Sequence, residues 1–81
     1  MEQDQEVGIV RQAIAQKFTS NEDLRQILLA TGEKALLECN PYDDFYATGL
    51  KADDKKLDNQ EYHGKNILGK ILEETRGKLK S

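Results

Sequence analysis

The sequence contains one cysteine, one histidine, one proline and no tryptophan among its 81 residues. A single thiol cannot form an internal disulfide, and small secreted domains usually carry several cysteines. The lone Cys39 therefore favours a reducing compartment, and we expect a cytoplasmic protein. Zinc sites normally need three or four cysteine or histidine ligands, so Cys39 and His63 predict neither a metal centre nor another cofactor. A nucleophilic pair of these two residues is also disfavoured, because a cysteine in an apolar segment usually only packs.

Long apolar runs are also missing. No stretch approaches the ~20 apolar residues that a membrane-spanning helix needs, so we expect no contact with a membrane. The acidic and polar residues 1–6 have the wrong chemistry for a signal or transit peptide. With only five aromatic side chains, the chain has material for one domain at most, and its core must be small.

A continuous basic surface is not expected either. The formal net charge is −3; residues 1–50 carry 4 basic and 9 acidic side chains, whereas residues 51–81 carry 8 basic and 6 acidic ones. Because proteins that bind nucleic-acid backbones need a basic patch, general nucleic-acid binding is disfavoured. A local pocket for one phosphate is compatible with this charge distribution.

Apolar residues do recur at helical spacing in three segments, and they predict helices over residues 5–18, 21–31 and 65–79. The side chains of residues 19–21 offer caps for the second helix. Gly32 follows that helix, which predicts a left-handed residue at its end. The three apolar stripes consist of Val7, Val10, Ala13, Ile14 and Phe18, then Leu24, Ile27 and Leu28, then Ile67, Leu68, Ile71, Leu72 and Leu79.

The chain between the second and third helices is predicted to be less regular. Residues 34–39 are short and apolar and are bounded by a glycine and an Asn-Pro pair, which predicts a short strand. A lone strand needs a partner, and residues 45–50 offer only a weak one. The charged residues 51–63 predict a long surface loop, and such loops are usually functional or mobile. The expected class is mainly α (α+β): three helices, with a short strand and a long loop between helices 2 and 3.

Residues 40–49, with the sequence Asn-Pro-Tyr-Asp-Asp-Phe-Tyr-Ala-Thr-Gly, form the most informative cluster. Aromatic side chains in a loop either anchor it to a small core or bind a ligand. A tyrosine ring can stack on a base, and a neighbouring carboxylate can bind ribose hydroxyls or handle a proton. The residues alone favour anchoring. They also favour an ordinary helix start at residues 64–66, although a glycine there can let a phosphate approach backbone N–H groups.

Several motifs, taken in order along the chain, resemble the NADAR (YbiA-like) family. In the first half, the matching residues are Lys17-Phe18, Asn21, Leu24, Leu28, Leu29, Thr31-Gly32 and Leu37-Glu38. In the second half, they are Asp43, Tyr46, Gly49, Leu50, Gly64, Lys65, Asn66, Leu68, Gly69 and Arg76. Each motif alone is weak, but their common order and spacing make the resemblance specific.

The resemblance implies activity on N-glycosidic bonds. The family handles ADP-ribose-like and phosphoribosyl compounds, so the implied partner is such a small molecule, with nucleic acid only as an ADP-ribosylated substrate. It implies that Asp43 is an active-site carboxylate that assists glycosidic cleavage. It also implies that Tyr46 stacks on the ligand, that Gly49 and Lys65 lie in ligand-binding segments, and that Asn66 orients the loop or donates to the ligand.

Departures from the family pattern leave two interpretations open. A family domain is considerably longer, and the segment that supplies a catalytic glutamate has no counterpart here, so residues 1–81 resemble a partial domain, its C-terminal half. Tyr46 and Tyr62 stand where the family has tryptophan, and Ala47 replaces a glycine. One interpretation is part of an N-glycosidase site that needs the missing N-terminal half or a second chain. The other is a non-catalytic nucleotide-binding or protein-interaction module, so enzymatic activity is not decided by the sequence.

Overall fold

The computed structural model describes residues 2–80, with the side chains of residues 4–80. Its three α-helices are Glu2–Ser20 (α1), Glu22–Ala30 (α2) and Ile67–Lys80 (α3), and a 3-10 helix spans Lys55–Leu57 inside the charged segment 51–63. The expected mainly helical class is confirmed. No helix among residues 2–80 combines the length and the hydropathy of a membrane span.

The described residues form two compact units. Residues 2–34 and 71–80 make up the helical unit, and residues 35–70 make up the loop unit. In the helical unit α1 packs against α2, and Leu28 and Ile71 are its buried apolar residues. Arg11 Nε donates to Glu74 at 2.8 Å, but both side chains are half-exposed, so this ion pair contributes at most about 1 kcal/mol.

A single residue, Asn21, separates α1 from α2. Its side chain accepts a hydrogen bond from Leu24 N at 3.1 Å and so caps α2. Ser20 instead belongs to α1, where its hydroxyl donates to the Gln16 carbonyl at 2.7 Å. Of the caps predicted in residues 19–21, Asn21 is therefore the one that caps α2.

The turn after α2 is closed by basic side chains of α3 within the helical unit. Gly32 has φ +64°, the left-handed conformation that the sequence predicts. The buried Arg76 donates through Nη1 to Thr31 Oγ1 and to the Lys34 carbonyl, both at 2.8 Å. Lys80 Nζ donates to the Gly32 carbonyl at 3.1 Å. The carbonyl groups of this turn, those of Gly32 and Lys34, thus gain charged donors.

The short strand predicted over residues 34–39 is wrong, since no strand forms within residues 2–80. The backbone of this segment bonds elsewhere in the loop unit. The Asn66 carboxamide donates to the Leu36 carbonyl and accepts from Glu38 N, both at 2.9 Å, and the Glu38 carbonyl accepts from Thr48 N at 2.9 Å. These bonds satisfy the backbone without a second strand, so a β ladder is not required.

Helix α3 begins at Ile67, two residues later than predicted. Asn66 has φ +51°, a left-handed conformation that no α-helical residue adopts. Its carbonyl accepts a hydrogen bond from Lys70 N at 3.1 Å, so Asn66 is the residue that leads into the helix.

Candidate functional site

Asp43 organises a tight turn at the start of the candidate loop, residues 43–49. Its Oδ1 accepts hydrogen bonds from Phe45 N and Tyr46 N, both at 2.9 Å. This local pattern is an Asx-type turn, which fixes the carboxylate relative to its own backbone. None of the described side-chain oxygens is buried without a hydrogen bond, and the Asp43 bonds all go to Oδ1. Asp43 Oδ2 is therefore not completely buried.

The backbone of residues 44–48 accepts hydrogen bonds from the N–H groups of residues 64–68. The five bonds are Gly64 N to Thr48 O, Lys65 N to Asp44 O, Asn66 N to Ala47 O, Ile67 N to Phe45 O and Leu68 N to Tyr46 O, at 2.8–3.1 Å. Backbone N–H groups at a helix start are the usual cradle for a phosphate. Here the loop carbonyls already occupy them, so this feature is an ordinary helix start.

Gly64 lies where these two segments approach most closely. A Cβ at this position would collide with the carbonyl oxygens of Ala47 and Thr48. The glycine is thus required by the backbone contact, and not by a ligand.

Asn66 ties three parts of the loop unit together. It is 1% exposed, and its carboxamide bridges Leu36 and Glu38 while its backbone N–H reaches Ala47. Its side-chain oxygen and nitrogen each make a hydrogen bond to backbone. Of the two roles that the resemblance implies for Asn66, this geometry favours orienting the loop.

The aromatic residues of the loop contact each other. The rings of Phe45 and Tyr46 meet edge to face, with centroids 4.8 Å apart. Lys65 Nζ lies 5.4 Å from the centroid of the Phe45 ring, within the range of a cation–π contact. Tyr46 is half-buried, whereas Lys65 is exposed, so a positive charge lies at the surface beside the loop.

The end of the loop is packed against the only histidine of the chain. Gly49 has φ +78°, and a Cβ there would lie 2.6 Å from His63 Nε2 and 3.4 Å from Asp44 Cβ. The backbone conformation therefore favours glycine at this position, and a side chain there would also displace the imidazole.

All five predicted site residues belong to the loop unit, on the loop 43–49 or on the segment that it bonds to. They are Asp43, Tyr46, Gly49, Lys65 and Asn66. Two neighbours were not predicted: His63, which contacts Gly49, and Tyr42, which is 95% exposed. Tyr42 could have been found from its position in the Asn-Pro-Tyr turn, but nothing local indicates the His63 contact. Among residues 2–80, no group of three or more potential metal ligands occurs.

The sequence of the chain matches the model of a known protein family. The NADAR domain matches the chain over residues 2–80. The chain therefore belongs to the NADAR family, as the motif resemblance indicates.

Three curated relatives show how much of a longer protein the chain covers. Protein irg-1 of Caenorhabditis elegans is 38% identical over 72 residues, which are 88% of this chain and 34% of the relative. An N-glycosidase of Acanthamoeba polyphaga mimivirus is 38% identical over 69 residues, 84% of this chain and 41% of the relative. An N-glycosidase of Nostoc punctiforme is 33% identical over 73 residues, 90% and 40% respectively. The chain thus spans between about a third and two fifths of the length of these relatives. No solved structure matches it significantly.

Proposed function

We propose that the chain forms part of an N-glycosidase site that cleaves the N-glycosidic bond of an ADP-ribose-like or phosphoribosyl compound. Membership of the NADAR family and two relatives that are N-glycosidases support the reaction class. The substrate class rests on the family resemblance of the loop motifs. A cytoplasmic location stays a prediction.

The observation that carries the proposal is the Asp43 carboxylate. One oxygen is held by two backbone N–H groups, and the other is not completely buried. A carboxylate that is fixed in direction but still open on one side can contact a substrate without first reorganising.

The proposed chemistry is hydrolysis. The bond between the anomeric carbon and the base nitrogen breaks, and the nitrogen leaves with the electron pair and takes up a proton. A water oxygen bonds to the anomeric carbon and gives up a proton, so that one water is divided between the two products. Positive charge develops on the sugar before the new bond is complete. Asp43 Oδ2 accepts a hydrogen bond from a ribose hydroxyl or from the attacking water, and its negative charge stabilises the cationic sugar.

The other predicted residues have supporting roles in this proposal. Lys65, exposed beside the Phe45 ring, places a positive charge where a ligand phosphate can bind. Tyr46 forms the aromatic wall of the loop together with Phe45. Gly49 and Asn66 hold the loop in shape, through the contact with His63 and through the carboxamide bonds.

The test is a cleavage assay with matched aspartate variants. The chain is incubated, alone and mixed with the part of the Nostoc punctiforme N-glycosidase that it does not match, with ADP-ribosylated guanosine or a phosphoribosyl aminopyrimidine. The released guanosine or aminopyrimidine is measured by chromatography. Asp43→Asn keeps an oxygen that can accept the two N–H bonds but removes the charge, so we expect a rate loss of about 100-fold or more.

Asp44→Asn is the matched control. This neighbouring carboxylate is exposed, so its neutralisation should leave the rate close to that of the unmodified chain. Full activity of Asp43→Asn, or equal losses in both variants, would contradict the role of Asp43. Absence of cleavage in every mixture would contradict the proposed reaction.

A second candidate function is a protein-interaction module, favoured by two exposed isoleucines of the helical unit. Ile9 on α1 is 66% exposed and Ile27 on α2 is 64% exposed. A partner or a second copy that docks on α1 and α2 would cover these two side chains. Light scattering tests this candidate: a larger species that becomes monomeric in Ile9→Lys or Ile27→Lys supports it, whereas a monomer at all concentrations contradicts self-association.

A further inference from the structure

Among the large apolar side chains of residues 4–80, that of Tyr42 is the most exposed to solvent. It is 95% exposed, compared with 66% for Ile9 and 64% for Ile27. A single exposed apolar residue is ordinary. Tyr42 differs because its backbone is held in place and because of the residue that follows it.

The backbone around Tyr42 is fixed by local bonds. Tyr42 N donates to Asn40 Oδ1 at 2.9 Å, and Asp43 N donates to the Asn40 carbonyl at 3.3 Å. Pro41 restricts the chain on the preceding side, since its ring fixes φ. A tyrosine side chain has only two rotatable angles, so little freedom is lost when the ring binds something.

Tyr42 also directly precedes the candidate carboxylate. Neighbouring Cα atoms lie 3.8 Å apart, so the ring and the Asp43 carboxylate start from adjacent positions on one turn. Tyr46, the aromatic residue that the family resemblance indicates, is half-buried, and its ring already contacts Phe45. Tyr62 is half-buried as well, so Tyr42 is the tyrosine whose ring is fully exposed.

We propose that Tyr42 stacks on the heteroaromatic base of the ligand while Asp43 contacts its ribose. This inference rests on the proposed function for the choice of a nucleotide-like ligand. Base and ribose are joined by one bond in a nucleotide, which matches two consecutive residues that offer a flat apolar ring and a carboxylate. Stacking on aromatic rings is favourable for every base, so Tyr42 contributes affinity and not selectivity among bases.

Two ligands that differ only in the base test the inference. Adenosine 5′-monophosphate and ribose 5-phosphate are titrated into the ¹⁵N-labelled 81-residue chain, and the dissociation constants are obtained from NMR shifts of residues 42–49. Tyr42→Ala should weaken adenosine monophosphate binding by about 10- to 100-fold, as expected for loss of a base–aromatic stack. It should leave ribose 5-phosphate binding unchanged, and Tyr42→Phe should bind both ligands like the unmodified chain.

Ile27→Ala serves as the control for loss of an exposed apolar side chain elsewhere, and it should change neither constant. Equal weakening of both ligands by Tyr42→Ala would overturn the inference, because the residue would then act only by holding the turn. Unchanged adenosine monophosphate binding in Tyr42→Ala would also overturn it while leaving the proposed function intact. If the unmodified chain binds no adenosine monophosphate, the inference fails, and the cleavage assay decides the proposed function separately.

Discussion

At the scale of single residues, Asn66 has the most constrained position in the loop unit. Its backbone is left-handed, its side chain is buried, and its carboxamide satisfies a carbonyl and an N–H group of residues 36–38. Asparagine tolerates the left-handed conformation better than most residues and can donate and accept at the same time. Few other side chains meet both requirements.

Asn66→Ala should therefore destabilise the chain strongly. It leaves the Leu36 carbonyl and Glu38 N without the carboxamide, and we expect a loss of about 3 kcal/mol in the free energy of unfolding. Urea denaturation followed by circular dichroism measures this loss. Asn66→Gly relieves the left-handed strain and should recover about 1 kcal/mol of it. Asn59→Ala, at an exposed position, is the control; if Asn66→Ala is as mild as that change, the bridging role is wrong.

Gly49 and His63 should be energetically coupled. Gly49→Ala adds a left-handed alanine, which costs about 1–2 kcal/mol, and a methyl group that meets the His63 ring. In the double variant with His63→Ala, the steric part of the destabilisation should disappear, whereas the cost of the left-handed backbone should remain. A double-mutant cycle of unfolding free energies measures the coupling, and the single histidine Hε1 signal reports ring displacement in Gly49→Ala. Strict additivity of the two changes would show that the contact is absent.

Local residue roles are accessible from sequence to the extent that they depend on near neighbours. Gly32 is left-handed as predicted because the signal, a glycine directly after an apolar helical stripe, is local. The bonds of Asn66 to residues 36–38 cross 28 and 30 positions, so no local pattern contains them. No local pattern indicates the contact between His63 and Gly49 either. Family motifs, and not local patterns, placed four residues in one candidate region: Asp43, Tyr46, Lys65 and Asn66. Their roles stay predictions.

At the scale of secondary structure, the three helices were predictable because the apolar spacing of an amphipathic helix is repeated over several turns. Residues 34–39 were not, because a short apolar run has the same composition whether or not it pairs with a strand. Its backbone partners are a side chain and a loop, which sequence periodicity does not report. Two helix bounds lie two residues after the predicted ones. α1 continues to Ser20, whose hydroxyl bonds to the Gln16 carbonyl, and α3 begins only after the left-handed Asn66. The spacing of apolar residues reports neither feature.

Two glycines of α3 should respond with opposite sign to the same change. A methyl group at Gly69 would collide with the Leu36 carbonyl and the Asn66 carboxamide, so Gly69→Ala should destabilise by about 1–3 kcal/mol. Nothing lies within 4 Å of the Cβ position at Gly77, so Gly77→Ala should stabilise by about 0.5–1 kcal/mol through helix propensity. Urea midpoints of the two variants provide the comparison. Stabilisation by both would mean that the segment 36–38 does not lie against α3 at Gly69.

At the scale of the whole molecule, the apolar interior is small. The described apolar residues that are nearly inaccessible are Leu28, Ala47 and Ile71, and much of the remaining buried material is polar, including Thr48, Asn66, Thr75 and Arg76. Hydrogen bonds to buried polar groups mainly avoid a penalty, whereas apolar burial supplies most of the favourable free energy. For a chain of 81 residues with this interior, we expect a free energy of unfolding below about 5 kcal/mol.

A partner that covers exposed apolar residues should raise that stability. Mixing the chain with the part of the Nostoc punctiforme N-glycosidase that it does not match should increase the unfolding free energy by about 2.7 kcal/mol at a partner concentration of 100 times Kd. Ile9→Lys should reduce the gain if α1 contributes to the contact, whereas Gln12→Lys, an exposed polar position on the same helix, should not. Thermal unfolding with increasing partner measures both. A melting temperature that does not change with partner concentration would contradict the idea that the two polypeptides form one domain together. The chain would then be a module that is stable without this partner.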